Sequence, residues 1–153
     1  MLLPWYSAII LLNYAKKYDI ITLTAIIAEF KRSEIKEEIF MPFIDVKTNV
    51  KVSEEQKNSI KSAMGQAITA IPGKTESWLM VGIKPEYDLW FKGDKSAAAM
   101  VEVSIFGGAS HNAFTTLTSH ITGILTDQLG IPSDRIYVKY NEVENWGWNG
   151  SNF

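Results

Sequence analysis

The sequence predicts an α+β domain in which a four-stranded sheet carries two helices on one face. It is built from two pseudo-symmetric strand-helix-strand repeats. A strand pattern, a helical pattern and a second strand pattern follow each other twice after residue 41, at nearly the same lengths. Each helical pattern is long enough to connect parallel strands. Because two such helices cover only one face of a sheet, the other face needs a different cover.

The first repeat begins at Pro42. Residues 43–50 alternate between two faces, which is typical of a strand. Ser53 and Gln56 have the spacing of a capping box and predict the start of a helix. Pro72-Gly73 is expected to end that helix, and residues 78–83 predict the next strand. The apolar stripe of this helix consists of Ile60, Met64, Ala67, Ile68 and Ile71.

The second repeat has the same order. Residues 98–106 predict a strand, and Ser110 is a plausible N-cap for the helix that follows. Gly130 is expected to end this helix, and residues 136–141 predict the last main strand. The apolar stripe of the second helix consists of Phe114, Leu117, Ile121 and Leu125.

The face of the sheet without helices is expected to carry apolar side chains. One chain offers no further element to bury them, so self-association is the simplest cover. Short peripheral strands, residues 87–91 and 146–148, are expected to pair between subunits.

Composition excludes several classes of function. The 153 residues suffice for one domain, or for one domain with an appendage. A net charge of -2 and a pI near 5.7 give no reason to expect a nucleic-acid partner. The chain has no cysteine, which excludes disulfides, a thiolate nucleophile and cysteine metal sites. His111 and His120 lack a partner at ligand spacing, so neither a metal nor another cofactor is expected.

Residues 1–41 are interpreted as an extension that precedes the domain at 42–153. The apolar run from Leu2 to Tyr14 is shorter than the roughly 20 residues of a spanning helix, and charged residues interrupt it. Three interpretations stay open: upstream sequence absent from the mature protein, a leader that targets the chain or associates with a membrane through residues 2–30, and an ordinary helical extension. The lysines follow the apolar run, unlike those of a secretory signal.

A set of motifs, in order, resembles the macrophage migration inhibitory factor family of the tautomerase superfamily. The resemblance covers Met41 to the last residue, whereas residues 1–40 have no counterpart in the family pattern. Its motifs are Met41-Pro42, Thr48-Asn49-Val50, Gly73-Lys74, Ile105-Phe106-Gly107-Gly108, Asp134-Arg135-Ile136-Tyr137-Val138 and the closing segment from Trp146 to Phe153.

The resemblance implies a homotrimer with three pockets at the subunit boundaries. It implies keto-enol tautomerase activity, an isomerase reaction, on small aromatic keto acids such as phenylpyruvate or on dopachrome-like compounds. Some family members also act as secreted cytokines, so a cell-surface receptor is a possible partner. The expected location is the cytoplasm, the exterior after release by a non-classical route, or both.

The resemblance makes Pro42 the general base. A prolyl nitrogen takes up a proton only as a free secondary amine, so this role requires a mature chain that begins at Pro42. The alternative is a proline that merely begins an edge strand. Lys74 is expected to hold the substrate carboxylate, although a lysine near a helix end also has a structural explanation. The backbone N–H of Phe106 is expected to contact the anion beside Ile105, just before a turn into a helix.

The remaining expected pocket residues are aromatic or basic. The resemblance places Tyr137 in the neighbouring subunit's pocket and puts Lys139 where the family often has asparagine. This second ammonium is expected to lower the proline pKa and to favour doubly anionic substrates. Trp78 and Phe106 are bulkier than usual and predict a narrower pocket. An aromatic wall, or alternatively interface packing, is expected from Phe43, Trp146, Trp148 and Phe153.

A second function stays open at this stage. The chain could be a cytokine-like, receptor-binding protein that keeps the fold without physiologically relevant catalysis. A retained extension would favour this alternative, because it blocks the amine and crowds the pocket mouth.

Overall fold

The computed structural model describes residues 22, 24, 25 and 41–152. The chain divides into two units, Met1–Ile39 and Phe40–Phe153. Residues 22, 24 and 25 of the first unit are helical. Apart from these and Met41, the predicted extension and its membrane-associating alternative lie outside the described residues. Within the described residues, no helix is long and apolar enough to cross a membrane.

The second unit has the predicted architecture of two strand-helix-strand repeats. Its main sheet has the strand order β2-β1-β3-β4. Within each repeat the two strands are parallel neighbours, and the first strands of the two repeats pair antiparallel at the centre. The elements are β1 (Pro42–Thr48), α1 (Glu54–Ala67), β2 (Met80–Lys84), β3 (Ala99–Phe106), α2 (His111–Leu129), β4 (Ile136–Val143), β5 (Gly147–Trp148) and β6 (Ser151–Asn152).

The predicted caps start both helices. The Ser53 hydroxyl accepts a hydrogen bond from the Gln56 backbone N–H at 3.2 Å, and the Ser53 N–H donates to the Gln56 side chain at 2.9 Å. This reciprocal pair satisfies two amide groups that have no partner inside the helix. Ser110 caps α2 by accepting from the Ala113 N–H at 3.2 Å. At the other end of α2, Gly130 adopts a φ of 67°, a conformation that glycine reaches without steric cost.

One side of the sheet packs against both helices and forms the core. Alternate residues of β1 and β3 point to this side, among them Ile44 and Val103. The stripes predicted for the two helices contribute most of the remaining core. Residues buried without measurable exposure include Ile60, Met64, Ile68, Leu117, Ile121, Leu125 and Ile131.

Several element boundaries differ from the prediction: β1 ends at Thr48 and β4 continues to Val143. Two further differences have a visible structural cause. α1 ends at Ala67 instead of continuing to Pro72, because a 3₁₀ turn over Ile68–Ala70 tightens the chain and keeps the next apolar residues buried. The strand expected from Trp78 begins at Met80. Residues 76–78 instead form a 3₁₀ turn, which the Leu79 N–H closes by donating to the Glu76 carbonyl at 3.0 Å.

The expected peripheral strand at residues 87–91 is wrong. Tyr87 donates its backbone N–H to the Thr48 carbonyl, and Phe91 forms an isolated bridge with Asp94, so the segment is a loop. Residues 147–148 do form a short strand, but it pairs with residues 151–152 of the same chain. Pairing of these segments between subunits stays a prediction.

The open face, which we define as the face of the main sheet without helices, is less apolar than predicted. Phe43 and Met100 lie on it, as the register and the alternation of the strands require. Between them, however, the face carries charged side chains from all four strands. The expectation of an apolar open face is therefore wrong for its centre. Strand alternation predicts two faces but does not make both of them apolar. Residues 43, 45 and 47 are Phe, Asp and Lys, so the second face mixes apolar and charged side chains.

Replacing Ser53 with alanine is expected to lower the free energy of unfolding by about 1 kcal/mol, because the Gln56 N–H loses its acceptor. Ser53→Thr retains a hydroxyl acceptor and serves as the matched control. Urea denaturation of the three proteins measures the difference. Equal stability of the alanine and threonine variants would contradict a stabilising role for this cap.

Candidate active site

Pro42 begins β1 and is buried. Its register partner on β3 is Ile105, which has no measurable exposure. By strand alternation the Pro42 side chain shares the helix-covered side with Ile44. In the 153-residue chain its nitrogen forms the peptide bond to Met41, so its lone pair is delocalised into a carbonyl. In this covalent form the nitrogen is an amide and cannot act as a base.

Lys74 lies in the connection between α1 and β2, and only 3% of its surface is exposed. Its ammonium donates a hydrogen bond to the Phe106 carbonyl at 3.0 Å. Phe106 is the last residue of β3 and directly follows Ile105, the partner of Pro42. The structure therefore brings Lys74, Phe106 and Ile105 to the end of the sheet where Pro42 begins. Burial disfavours the charged amine and lowers the pKa of Lys74 to about 8.

The Phe106 backbone contributes a contact that sequence reasoning did not assign. Sequence reasoning assigned an anion contact to its N–H, which stays a prediction. Its carbonyl oxygen accepts from the Lys74 ammonium and fixes where that cation lies.

The Glu142 carboxylate lies next to the N-terminal end of α2. The Glu142 side chain accepts from the Ala109 backbone N–H at 3.2 Å. A Cβ atom added at Gly108 would lie 2.8 Å from a Glu142 carboxylate oxygen, so glycine gives this side chain its space. Sequence reasoning missed Glu142. Its position near the end of β4, beside the end of β3, was the available signal.

The aromatic wall expected from Phe43, Trp146, Trp148 and Phe153 stays a prediction, although one of its members contacts another expected pocket residue. Trp78 and Trp148 meet edge to face, with ring centroids 5.4 Å apart. This contact joins the turn before β2 to the hairpin near the end of the chain. Phe43 lies on the open face of β1, where its ring is 3.5 Å from the position that a Cβ at Gly82 would occupy. Trp146 is half-buried, and Phe153 lies outside the described residues.

Tyr137 and Lys139 lie on the open face of β4, whereas the Pro42 side chain lies on the helix-covered side of the sheet. Tyr137 is 61% exposed, and its ring meets Phe91 edge to face at 5.1 Å. The Lys139 side chain is 50% exposed, and its ammonium pairs with the Glu102 carboxylate at 3.1 Å. Within one protomer these residues and Pro42 belong to opposite faces of the sheet, so a pocket that contains all of them needs a second copy.

A charge ladder crosses the open face. We give this name to five side chains of alternating sign, Lys84, Asp45, Lys47, Glu102 and Lys139. Successive N···O distances along it are 3.1, 3.5, 3.0 and 3.1 Å. It connects β2, β1, β3 and β4 in their order in the sheet.

Neighbouring charges in the ladder stabilise each other's ionised form. Hydrogen bonds from Lys47 and Lys139 hold the pKa of Glu102 below its usual value. The hydrogen bond to Glu102 in turn raises the pKa of Lys47. Asp45 is nearly fully buried, and a Cβ at Gly82 would lie 3.0 Å from its Oδ1. The absence of a side chain at Gly82 thus makes room for this carboxylate. Sequence reasoning missed both acidic members of the ladder.

The described residues contain no group of three or more histidine, cysteine, aspartate or glutamate side chains arranged to hold a metal ion.

Known proteins resemble this part of the chain in sequence and in fold. A family model described as macrophage migration inhibitory factor matches residues 41–153. The macrophage migration inhibitory factor of Meriones unguiculatus is 31% identical over 118 residues, which cover 74% of this chain and 99% of that protein. The Rattus norvegicus protein of the same name is 30% identical with the same coverage. The crystal structure of Leishmania major MIF2 is 30% identical, has a TM-score of 0.70, and is matched over 74% of this chain and 97% of its own. Residues 41–153 therefore correspond to nearly the whole length of these relatives.

Burial of Lys74 predicts a pH dependence of stability. Because the folded protein binds the Lys74 proton less tightly than the unfolded chain does, this residue makes the free energy of unfolding rise from about pH 8 to pH 10.5. Relative to Lys74→Met, the wild-type chain is expected to gain about 1–3 kcal/mol over this interval.

Urea denaturation at pH 7 and pH 10 measures this difference. Lys61→Met, which removes an exposed lysine from α1, is the matched control and is expected to follow the wild-type protein. A difference between wild type and Lys74→Met that stays constant across the interval would show that Lys74 keeps the proton affinity of a solvated lysine.

Proposed function

This chain belongs to the macrophage migration inhibitory factor family of the tautomerase superfamily, and from that premise we propose that it is a keto-enol tautomerase of small aromatic keto acids. In this proposal the nitrogen of Pro42 is the general base and Lys74 binds the substrate carboxylate. Phenylpyruvate and dopachrome-like compounds are the proposed substrate class.

The observation that carries the proposal is the position of the Lys74 ammonium. It is almost fully buried and held by the Phe106 carbonyl at the end of β3. The adjacent residue, Ile105, is the register partner of Pro42. A buried cation at the end of the sheet where Pro42 begins supports a site that binds an acid and removes a proton near it.

The reaction moves a proton between carbon and oxygen. The free nitrogen of Pro42 takes the proton from C3 of the keto acid, and the electrons of that C–H bond form the C2–C3 double bond. The π electrons of the C2=O bond move to the ketone oxygen, which takes a proton from water. The hydroxide that remains takes the proton from the Pro42 ammonium, so the enol is complete and the base is regenerated. In the reverse direction the protonated amine returns its proton to C3. Lys74 holds the carboxylate throughout, so that C3 lies against the base.

The environment of Pro42 suits a base that works near neutral pH. A terminal amine has a pKa of roughly 7.7 to 8.0 in model peptides. Burial and a nearby ammonium both disfavour the protonated amine and lower this value. The reduced pKa of Lys74 has the same physical origin, desolvation of a cation at this end of the sheet.

We further propose that the pockets lie between subunits of a homotrimer. The positions of Tyr137 and Lys139 support this, because both lie on the open face, whereas Pro42 of the same protomer lies on the helix-covered side of the sheet. Exposed apolar side chains support an interface as well. Met80 on β2 and Tyr137 on β4 are both strongly exposed on the open face of the isolated protomer.

One observation favours a second candidate function. In the 153-residue chain the nitrogen of Pro42 is acylated by Met41 and carries no basic lone pair. A form that keeps residues 1–41 would then act as a cytokine-like, receptor-binding protein without tautomerase activity. Receptor binding that survives Pro42→Gly would support this alternative.

Replacement of Pro42 tests the proposed base. In the form that begins at residue 42, Pro42→Gly is expected to lower kcat/KM for phenylpyruvate by about 100-fold or more, the usual contribution of a positioned general base. The ultraviolet absorbance of the enol follows the reaction. Pro132→Gly removes a proline from the turn before β4 and serves as the control, with activity close to wild type. Equal loss in both variants would assign the effect to folding.

The state of the N-terminus tests the mechanism itself. Intact mass of the protein from its native cell is expected to show a chain that begins at Pro42, and this form is expected to be active. The 153-residue form, with an amide at the same position, is expected to be inactive toward phenylpyruvate. Turnover by a preparation that retains residues 1–41 on every molecule would eliminate Pro42 as the base.

A further inference from the structure

Glu102 lies at the centre of β3 between two ammonium groups. Its Oε1 accepts from Lys47 at 3.0 Å, and its Oε2 lies 3.1 Å from the Lys139 ammonium. Because each carboxylate oxygen has its own lysine, the carboxylate cannot turn toward one partner without leaving the other. The contacts with Lys47 and Lys139 together therefore fix the orientation of the Glu102 carboxylate.

The rest of the charge ladder supports this arrangement. Lys47 also lies 3.5 Å from Asp45, which pairs with Lys84 at 3.1 Å. Three lysines and two carboxylates alternate, so each carboxylate is flanked by two cations and Lys139 stands at the end of the row. Its side chain is 50% exposed, whereas that of Glu102 is 29% exposed. Lys139 can therefore meet a ligand from the open face, whereas the Glu102 carboxylate is less accessible to that ligand.

We infer that Glu102 is a positioning residue that sets the charge specificity of the site, by neutralising Lys139 so that the pocket selects monoanionic over dianionic aromatic keto acids. This inference rests on the proposed function, in which Lys139 contributes to a pocket between subunits. It reverses the expectation that Lys139 adds a second anion site.

Electrostatics explains the selection. A second negative group on a substrate would meet an ammonium that already has a carboxylate 3.1 Å away. To bind, it would approach Glu102 itself, and the repulsion between the two anions offsets the attraction to Lys139. A neutral ring meets no such repulsion. The pocket can therefore accept the phenyl ring of a monoanionic acid next to the Lys139–Glu102 pair.

The experiment compares phenylpyruvate with 4-carboxyphenylpyruvate, which carries a second carboxylate on its ring. The measured quantity is the ratio of kcat/KM for the dianion to that for the monoanion, in the form that begins at Pro42. The same ratio is measured for Kd by calorimetry, in that form and in the 153-residue chain. Glu102→Gln keeps the shape of the side chain and removes its charge. Glu54→Gln removes a charge of the same sign from an exposed ion pair on α1 and is the matched control.

Glu102→Gln is expected to raise the dianion-to-monoanion ratio by about threefold or more, the size of an exposed ion pair's contribution. Glu54→Gln is expected to leave the ratio at its wild-type value. Adding Lys139→Asn to Glu102→Gln should abolish the gain, because the released ammonium is then missing. A purely structural role of Glu102 would change the rates for both acids alike and leave the ratio constant.

An unchanged ratio in Glu102→Gln would overturn the inference. If that variant does not fold, Glu102→Ala decides, because it removes the same charge. Its ratio should also rise by about threefold, and an unchanged ratio would overturn the inference. Binding without turnover in the form that begins at Pro42 would overturn the proposed function, while the ratio of Kd values still tests Glu102. Absence of binding to both acids would overturn both proposals.

Discussion

The hydrogen bond from the Lys74 ammonium to the Phe106 carbonyl is the contact on which the proposed chemistry depends. It ties the connection after α1 to the end of β3 and places a buried cation next to the start of β1. Its cost is the desolvation of an amine, which is visible in the lowered pKa of Lys74. A domain that needed only stability would gain by placing an apolar residue there. The buried cation is therefore the feature that most directly supports a site for an anionic substrate.

The two faces of the sheet have different physical roles. One face packs against both helices and is mainly apolar, so it fixes the fold. The open face carries the charge ladder, whose members pair with one another across all four strands. The register places Lys47 opposite Lys84 and Asp45 opposite Glu102, so like charges are cross-strand partners. The diagonal ion pairs Lys84–Asp45 and Lys47–Glu102 offset this repulsion. This arrangement also explains how Lys139 can belong to a proposed pocket without contributing a full positive charge to it.

The sequence predicted the fold accurately where local signals agreed with one another. The capping box at Ser53, the glycine stop at Gly130 and the apolar stripes of both helices are all found as expected. It failed where a local turn took up the start of a hydrophobic run. The strand expected at Trp78 begins two residues later, because residues 76–78 close a 3₁₀ turn that leaves this ring beside Trp148. A hydrophobic run does not by itself show at which of its residues the strand begins.

The sequence by itself determined the two repeats, because caps, glycine stops and apolar stripes are local patterns. Its motifs also indicated the family, and with it the candidate base at Pro42. Only the tertiary structure decided which atoms meet. It turned the Phe106 carbonyl toward Lys74, and it brought Glu102 on β3 against Lys139 on β4. These contacts join residues 32 and 37 positions apart. The pairing of strands sets them, and no local pattern of charge or hydrophobicity encodes that register.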